Sequence, residues 1–176
     1  KNDKYLSTLE HLADALPGDA DKVQIWRRLA AEYEEDEGRW TRAAEFLEKI
    51  LAVQTSDDDA YRALARLYKN QKKFEQSVDV MMRHVASSHA TATRIELWAA
   101  CGRTQEELLS DPHRAIEAWS NVLDLDGAHR DALTALARLY KRIDSWDRAA
   151  AMMVKNAEAA QGKPAAMLGL KPAAAD

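Results

Sequence analysis

The side chains able to do chemistry are few in this chain, and their spacing rules out most of what they could do. The five histidines are His11, His84, His89, His113 and His129, and no two of them stand four residues apart. None therefore makes the pair of imidazoles on one helix face that a zinc-binding helix needs, and a solvated or polar-edge position is expected for them. Cys101 is the single cysteine, so neither a disulfide nor a thiolate cluster can form within the chain. On the inner face of a helix it reads as a small apolar residue rather than a nucleophile. There is no Gly-rich phosphate loop, no Gly-x-Ser-x-Gly elbow and no paired Cys-x-x-Cys. The acid pairs Glu34-Glu35 and Glu106-Glu107 read as solvated, and the five tryptophans as core. The sequence thus predicts a protein that is not an enzyme, with no catalytic residue, no metal and no cofactor.

One chemical feature rises above that background, and it is a charge pattern. Arg62, Arg66 and Lys69 stand at i, i+4 and i+7, so a helix places them on one face. At about 100° per residue, that face lies roughly 110° around from the stripe of Tyr61, Leu64, Ala65 and Tyr68. Arg138 and Lys141 repeat the pattern, and Arg27 and Arg103 take the comparable flank of two further helices. Like charges at i, i+4 oppose an isolated helix by a few tenths of a kcal/mol. A row that tolerates this several times points to an acidic ligand; the alternative is a solvated face partly neutralised by Asp59, Glu96 and Asp131.

The elements that carry these residues follow from a repeat. Residues 63–69, Ala-Leu-Ala-Arg-Leu-Tyr-Lys, recur letter for letter as residues 135–141. The same shift of 72 aligns Trp26 with Trp98, Ala43 with Ala115, Phe74 with Trp146 and Met81 with Met153. That period is about twice a two-helix unit. Closer anchors give the unit itself: Trp26 to Tyr61 is 35 residues, Tyr61 to Trp98 is 37 and Trp98 to Leu133 is 35. The 176 residues are 47% hydrophobic and 31% charged, with 6 Gly and 4 Pro, a balance that favours a soluble helical protein. A net charge of −4 gives no overall pull toward nucleic acid or an acidic membrane. No apolar run approaches the 18 or so residues of a membrane span.

Each unit reads as a helix A followed by a helix B. Residues 1–18 form a half-repeat helix with Tyr5, Leu9, Leu12, Ala13 and Leu16 on one face, stopped at Pro17-Gly18. Because this helix aligns with a later helix B, and no initiator Met precedes it, a first helix upstream is expected. Full repeats are placed at 19–57, 58–91, 92–129 and 130–160. Asp19 or Asp21 should cap the first of them, Asp57 to Asp59 open the second, and Ser110-Asp111-Pro112 start the helix B of the third. Small residues recur where A and B must cross: Ala30 with Ala43, Ala65 with Ser77, Gly102 with Ala115, Ala137 with Ala149. Residues 161–176 lose the periodicity and read as a Gly/Pro/Ala-rich tail, which either covers the apolar end of the last helix or leaves it for end-to-end self-association.

These anchors resemble the tetratricopeptide repeat family, whose helix A carries an aromatic, then Leu-Gly/Ala, then Tyr, and whose helix B carries Ala and a large apolar residue. The matching residues are Trp26/Leu29/Ala30/Tyr33/Ala43, Tyr61/Leu64/Ala65/Tyr68, Trp98/Gly102/Ala115/Trp119 and Leu136/Ala137/Tyr140/Ala149, over roughly residues 1–160. The proline that usually closes a unit is replaced by Thr55, His89 and Gly127, and Cys101 and Gln105 stand where Leu and Tyr are usual. The resemblance implies an all-α, right-handed superhelical array with a concave groove lined by the A helices, holding peptide segments of partner proteins. In that groove the ligand-binding residues would be Arg27, Arg62, Arg66, Lys69, Arg103, Arg138 and Lys141. The family's clamp for chaperone C-terminal carboxylates is not expected, since Ala63, Arg66 and Ala31 fill the flanks where it needs Asn. An RNA-binding pentatricopeptide-like array is the competing reading, opposed by the acidic balance and the irregular 37-residue step. A third is the non-catalytic arm of a larger enzyme or signalling protein. The single cysteine and the lack of a signal segment favour the cytoplasm.

Overall fold

The computed structural model describes residues 2–161, and the 161–176 tail lies almost wholly outside them. Among the described residues there are nine α-helices and no strand: α1 (Asn2–Ala15), α2 (Asp19–Glu34), α3 (Trp40–Val53), α4 (Asp58–Asn70), α5 (Phe74–Ser87), α6 (Thr91–Glu107), α7 (Pro112–Leu125), α8 (Arg130–Arg142) and α9 (Trp146–Ala160). The chain is therefore all-α, built of antiparallel helix pairs. It divides into two compact units between Ala90 and Thr91.

In the first unit α1 packs on α2, α2 on α3, α3 on α4 and α4 on α5. The core runs through Leu6, Val23, Leu29, Phe46, Ile50, Leu64, Leu67 and Val80. Ala43 is fully buried and Ala30 nearly so, which is what the crossing of α2 and α3 requires. At the crossing of α4 and α5 the small residue is polar, and Ser77 Oγ donates to the Ala65 carbonyl at 2.8 Å. The Tyr33 ring stacks on Phe46 at 5.9 Å while its hydroxyl donates to Glu10 on α1 at 2.7 Å.

In the second unit α6 packs on α7, α7 on α8 and α8 on α9, around Ala115, Trp119, Val122, Leu136 and Leu139. Gly102 plays a different part from the one its alignment predicts. A Cβ there would stand 2.7 Å from Trp119 Nε1, so the bare glycine makes room for the indole of α7 rather than for Ala115 alone.

Helix ends show which local signals were used. Asp57 caps α4 by accepting from Ala60 N at 2.9 Å, and Asp111 caps α7 by accepting from Arg114 N at 3.0 Å, with Pro112 at the first helical position. For α2 the expected Asp cap is replaced by Gly18, which makes no side-chain bond, and Asp19 and Asp21 fall in the first turn, where they face the helix dipole instead. His129 caps α8 with Nδ1 accepting from Ala132 N at 3.3 Å. The turns inside three pairs need a left-handed residue, at Lys72 (φ 58), Ser110 (φ 54) and Asp144 (φ 57), although none is glycine.

Candidate functional site

The cationic row begins on α4, where Tyr61, Leu64 and Leu67 face the core and Arg62, Arg66 and Lys69 are exposed. Arg66 reaches to Glu34, the last residue of α2. Its Nη2 donates to both carboxylate oxygens, at 2.8 and 3.0 Å, and its Nε donates to one of them at 3.2 Å. The pair recurs in the second unit, where Arg138 Nε and Nη2 donate to the two oxygens of Glu106 at 2.9 and 2.7 Å. Glu106 also has Arg142 Nη1 at 3.6 Å. The hydrogen bonds to Glu106 raise the pKa of Arg138 above the ordinary guanidinium value. Both glutamates stand in the last turn of an A helix, the end at which a carboxylate opposes the dipole and gains from a cation.

These contacts correct two expectations. Glu34 and Glu106 are not simply solvated acids but the partners of the arginine row, with Glu106 buried. The local neutralisers are likewise Glu34 and Glu106, reached from the neighbouring A helix, and not the Asp59, Glu96 and Asp131 of the solvated-face alternative. A signal for this was present in the sequence, since Glu34 and Arg66 recur together as Glu106 and Arg138 at the same shift of 72.

The other expected site residues fall into two groups. Arg27 on α2 is engaged by the Asp57 carboxylate, whose side chain is 5% exposed and which also caps α4, and it reaches Gln54 Oε1 at 3.4 Å. That arginine fastens α2 to the start of α4. Arg103 on α6 lies with its guanidinium 5.9 Å over the Trp119 ring. Among the described residues Arg62, Lys69 and Lys141 make no ion pair, and all three are exposed. Arg27, Arg62, Arg66 and Lys69 belong to the first unit; Arg103, Arg138 and Lys141 belong to the second.

Outside the row, His84 departs from the solvated role expected of the histidines. It is 1% exposed, stacked on Tyr61 at 4.8 Å, with Nε2 2.8 Å from Asp58 Oδ1. Burial pushes the Cys101 thiol up to about 12, so the group stays protonated and poorly nucleophilic at neutral pH. Among the described residues no group of three or more His, Cys, Asp or Glu could hold a metal ion, and no helix is long and apolar enough to cross a membrane.

No protein-family model matches the chain, and no curated protein matches it. Solved structures do. A crystal structure of MamA is 18% identical with a TM-score of 0.59, covering 89% of this chain and 87% of that one. A second MamA structure is 20% identical, also at 0.59, covering 95% and 87%. YrrB, described as a TPR protein with an unusual peptide-binding site, is 16% identical with a TM-score of 0.53, covering 78% and 69%. At these identities the likeness concerns the fold, which is that of the tetratricopeptide-like helical-repeat proteins.

Proposed function

We propose that this chain, a helical-repeat protein of the tetratricopeptide fold, is a non-catalytic interaction scaffold that binds an extended acidic peptide segment along the flank of its A helices. The observation that carries the reading is the exposed row Arg62, Arg66 and Lys69 on α4, written again as Arg138 and Lys141 on α8. Solved TPR proteins that bind peptides, YrrB being described as one, support the class of ligand.

The ion pairs give the proposed site a division of labour. Arg66 and Arg138 remain 62% and 56% exposed while held by Glu34 and Glu106, so each offers a pre-oriented guanidinium edge. Among the described residues Arg62, Lys69 and Lys141 have no such carboxylate, and they are the cations an acidic ligand would neutralise first. Arg62 and Lys69 are separated by seven residues of helix, a rise of about 10 Å. A peptide laid along α4 in extended form covers that distance in about three residues. The preferred ligand on this reading carries two acids about three residues apart, and a non-acidic residue between them to avoid Glu34.

The test is fluorescence anisotropy with labelled peptides carrying Glu or phosphoserine at that spacing. Arg62→Ala/Lys69→Ala should weaken binding by about 2- to 30-fold, from two exposed pairs at about 0.2–1 kcal/mol each. Helix content should be unchanged, since neither residue holds an ion pair among the described residues. Binding should fall steeply with salt, and Lys155→Glu on α9 should have little effect. Equal affinity of wild type and the double variant would reduce the row to a solvated face.

A further inference from the structure

The first unit holds a pocket of about 570 Å³ between α3 and α5, lined also by the end of α4 and the turn that follows it. Sites for small molecules commonly have that size. Ala44 of α3 and Tyr68 of α4 give it apolar surface, while Glu45, Glu48, Lys49, Gln71 and Lys73 give it polarity and charge. The two acids are already engaged from outside. Arg42 Nη1 donates to Glu45 Oε2 at 2.6 Å, and Arg83 donates through Nη1 and Nη2 to the two oxygens of Glu48, both at 2.8 Å. Neither arginine lines the pocket. The two lysines make no ion pair among the described residues. Lys49 Nζ lies 4.8 Å from the centre of the Phe46 ring, and Lys73 Nζ 6.0 Å from that of Tyr68. The charge left unmatched on the lining is therefore that of two ammonium groups. Two neutral donors stand with them. Burial and the nearby Glu48 and Asp79 push the Tyr68 phenol above its ordinary value, so at neutral pH it keeps its O–H. Gln71 Nε2 is buried with no acceptor among the described residues. That is a costly state for an N–H, and turning the amide toward an anion in the pocket would relieve it.

The repeat itself does not call for these residues. The shift of 72 keeps Tyr68 as Tyr140 but puts Ile116 for Ala44, Asn121 for Lys49, Ile143 for Gln71 and Ser145 for Lys73. The second unit forms the same helix pairs without them. The small Ala44 leaves room where the second unit carries an isoleucine, and the two lysines bring charge where it carries neutral side chains. We propose that this pocket binds a small organic anion, a carboxylate on a compact apolar body, with Lys49 and Lys73 as counter-charges and Tyr68 and Gln71 as further donors. A carboxylate offers about four lone-pair sites, enough for these four groups. The apolar body then lies against Ala44 and the Tyr68 ring. None of Arg62, Arg66 and Lys69 lines the pocket, so the inference stands apart from the acidic-peptide reading.

The probe is benzoate, titrated into isotope-labelled full chain and followed by nuclear magnetic resonance, with benzamide as its uncharged counterpart. Saturable shifts should centre on the Tyr68 ring, the Gln71 side-chain amide and the Lys73 backbone, with a midpoint on the order of 1 mM. Tyr140, the counterpart of Tyr68 in the second unit, should not shift. Benzamide should bind at least about tenfold more weakly. Lys49→Gln/Lys73→Gln should weaken benzoate at least about threefold with unchanged circular dichroism, since neither lysine holds an ion pair among the described residues. Arg62→Ala/Lys69→Ala should leave the benzoate titration as it is, so a failure here and a failure of the acidic-peptide reading are told apart. The proposal is overturned by any of four results: no saturable change at about 20 mM benzoate; shifts centred on Arg62 and Lys69 instead of the pocket; benzamide binding as well as benzoate; or unaltered affinity in the double lysine variant.

Discussion

The chain carries one ion pair twice, and the copies differ in burial, so the energetics of the cationic row can be measured against an internal control. Arg66 and Glu34 are 62% and 26% exposed; Arg138 and Glu106 are 56% and 8% exposed. Replacing Arg66 by Met leaves a carboxylate that water can reach, and the cost should be about 0.2–1 kcal/mol. Replacing Arg138 by Met strands Glu106 in a desolvated position at the C-terminal turn of α6, where the helix dipole also opposes it. Breaking a fully buried pair costs about 3–5 kcal/mol. Here the exposed arginine and the remaining Arg142 at 3.6 Å lower that to about 2 kcal/mol. In urea, with a slope of about 2 kcal/mol/M, the midpoint should fall by about 1 M for Arg138→Met and by about half of that or less for Arg66→Met. Adding Glu106→Met to Arg138→Met should restore most of the loss, since removing both partners abolishes the stranded charge. Equal shifts at the two sites, or a double variant as unstable as the single one, would refute the assignment of the effect to desolvation of Glu106.

Gly102→Ala gains about 1 kcal/mol of helix propensity but sets a methyl 2.7–2.9 Å from the Trp119 indole; overpacking of about 1–3 kcal/mol should win, lowering the melting temperature, and Trp119→Phe in the same chain should reduce the loss. Lys72→Gly should stabilise by about 0.5–1 kcal/mol in urea titrations, because Lys72 holds a left-handed φ of 58 that glycine adopts freely, while Asp144→Gly should gain less, Asp being more tolerant of that region. The Cys101 thiol, pushed by burial from about 9 to about 12, should resist iodoacetamide from pH 7 to 9 in the native protein and react at once in urea. Its raised value favours the fold below the unfolded thiol's pKa, and that contribution should be lost as pH climbs from about 9 towards about 12.

The helices and their pairing were legible because the apolar residues repeat at two scales, the helical turn and the 72-residue shift. Leu64, Leu67 and Leu136, Leu139 had only one face on which to sit, and burial followed. Turn geometry was less legible. Lys72, Ser110 and Asp144 occupy left-handed positions that glycine usually marks, held by the closing bonds Lys73 N to Tyr68 O and Ser145 N to Tyr140 O, both 2.9 Å, and Asp111 N to Gln105 O at 2.8 Å. Gly102 was visible as a small residue at a crossing, but the sequence could not tell that a tryptophan ring, rather than a helix backbone, would fill the space.

The candidate site was half legible for a related reason. Helical periodicity finds residues that share a face within one element, and so it finds Arg62, Arg66 and Lys69. It says nothing about which side chain of another element comes to meet them, because that depends on the offset between neighbouring A helices. The offset places the last-turn glutamate of one A helix beside the arginine in the middle of the next, and it does so in both units. Recurrence supplies what periodicity lacks: two residues that repeat together at the same shift, one acid and one base, share an environment that is itself repeated. Glu34 with Arg66 and Glu106 with Arg138 meet that condition. Arg27 with Asp57 does not, because the same shift replaces them by Ala99 and His129. There the cap of α8 falls to an imidazole, and the arginine tie to the start of that helix is lost with it. The two units therefore keep the same cation on the exposed flank while fastening its base differently, which is why Arg62, Lys69 and Lys141, free of ion pairs among the described residues, are the positions at which binding can be tested apart from folding.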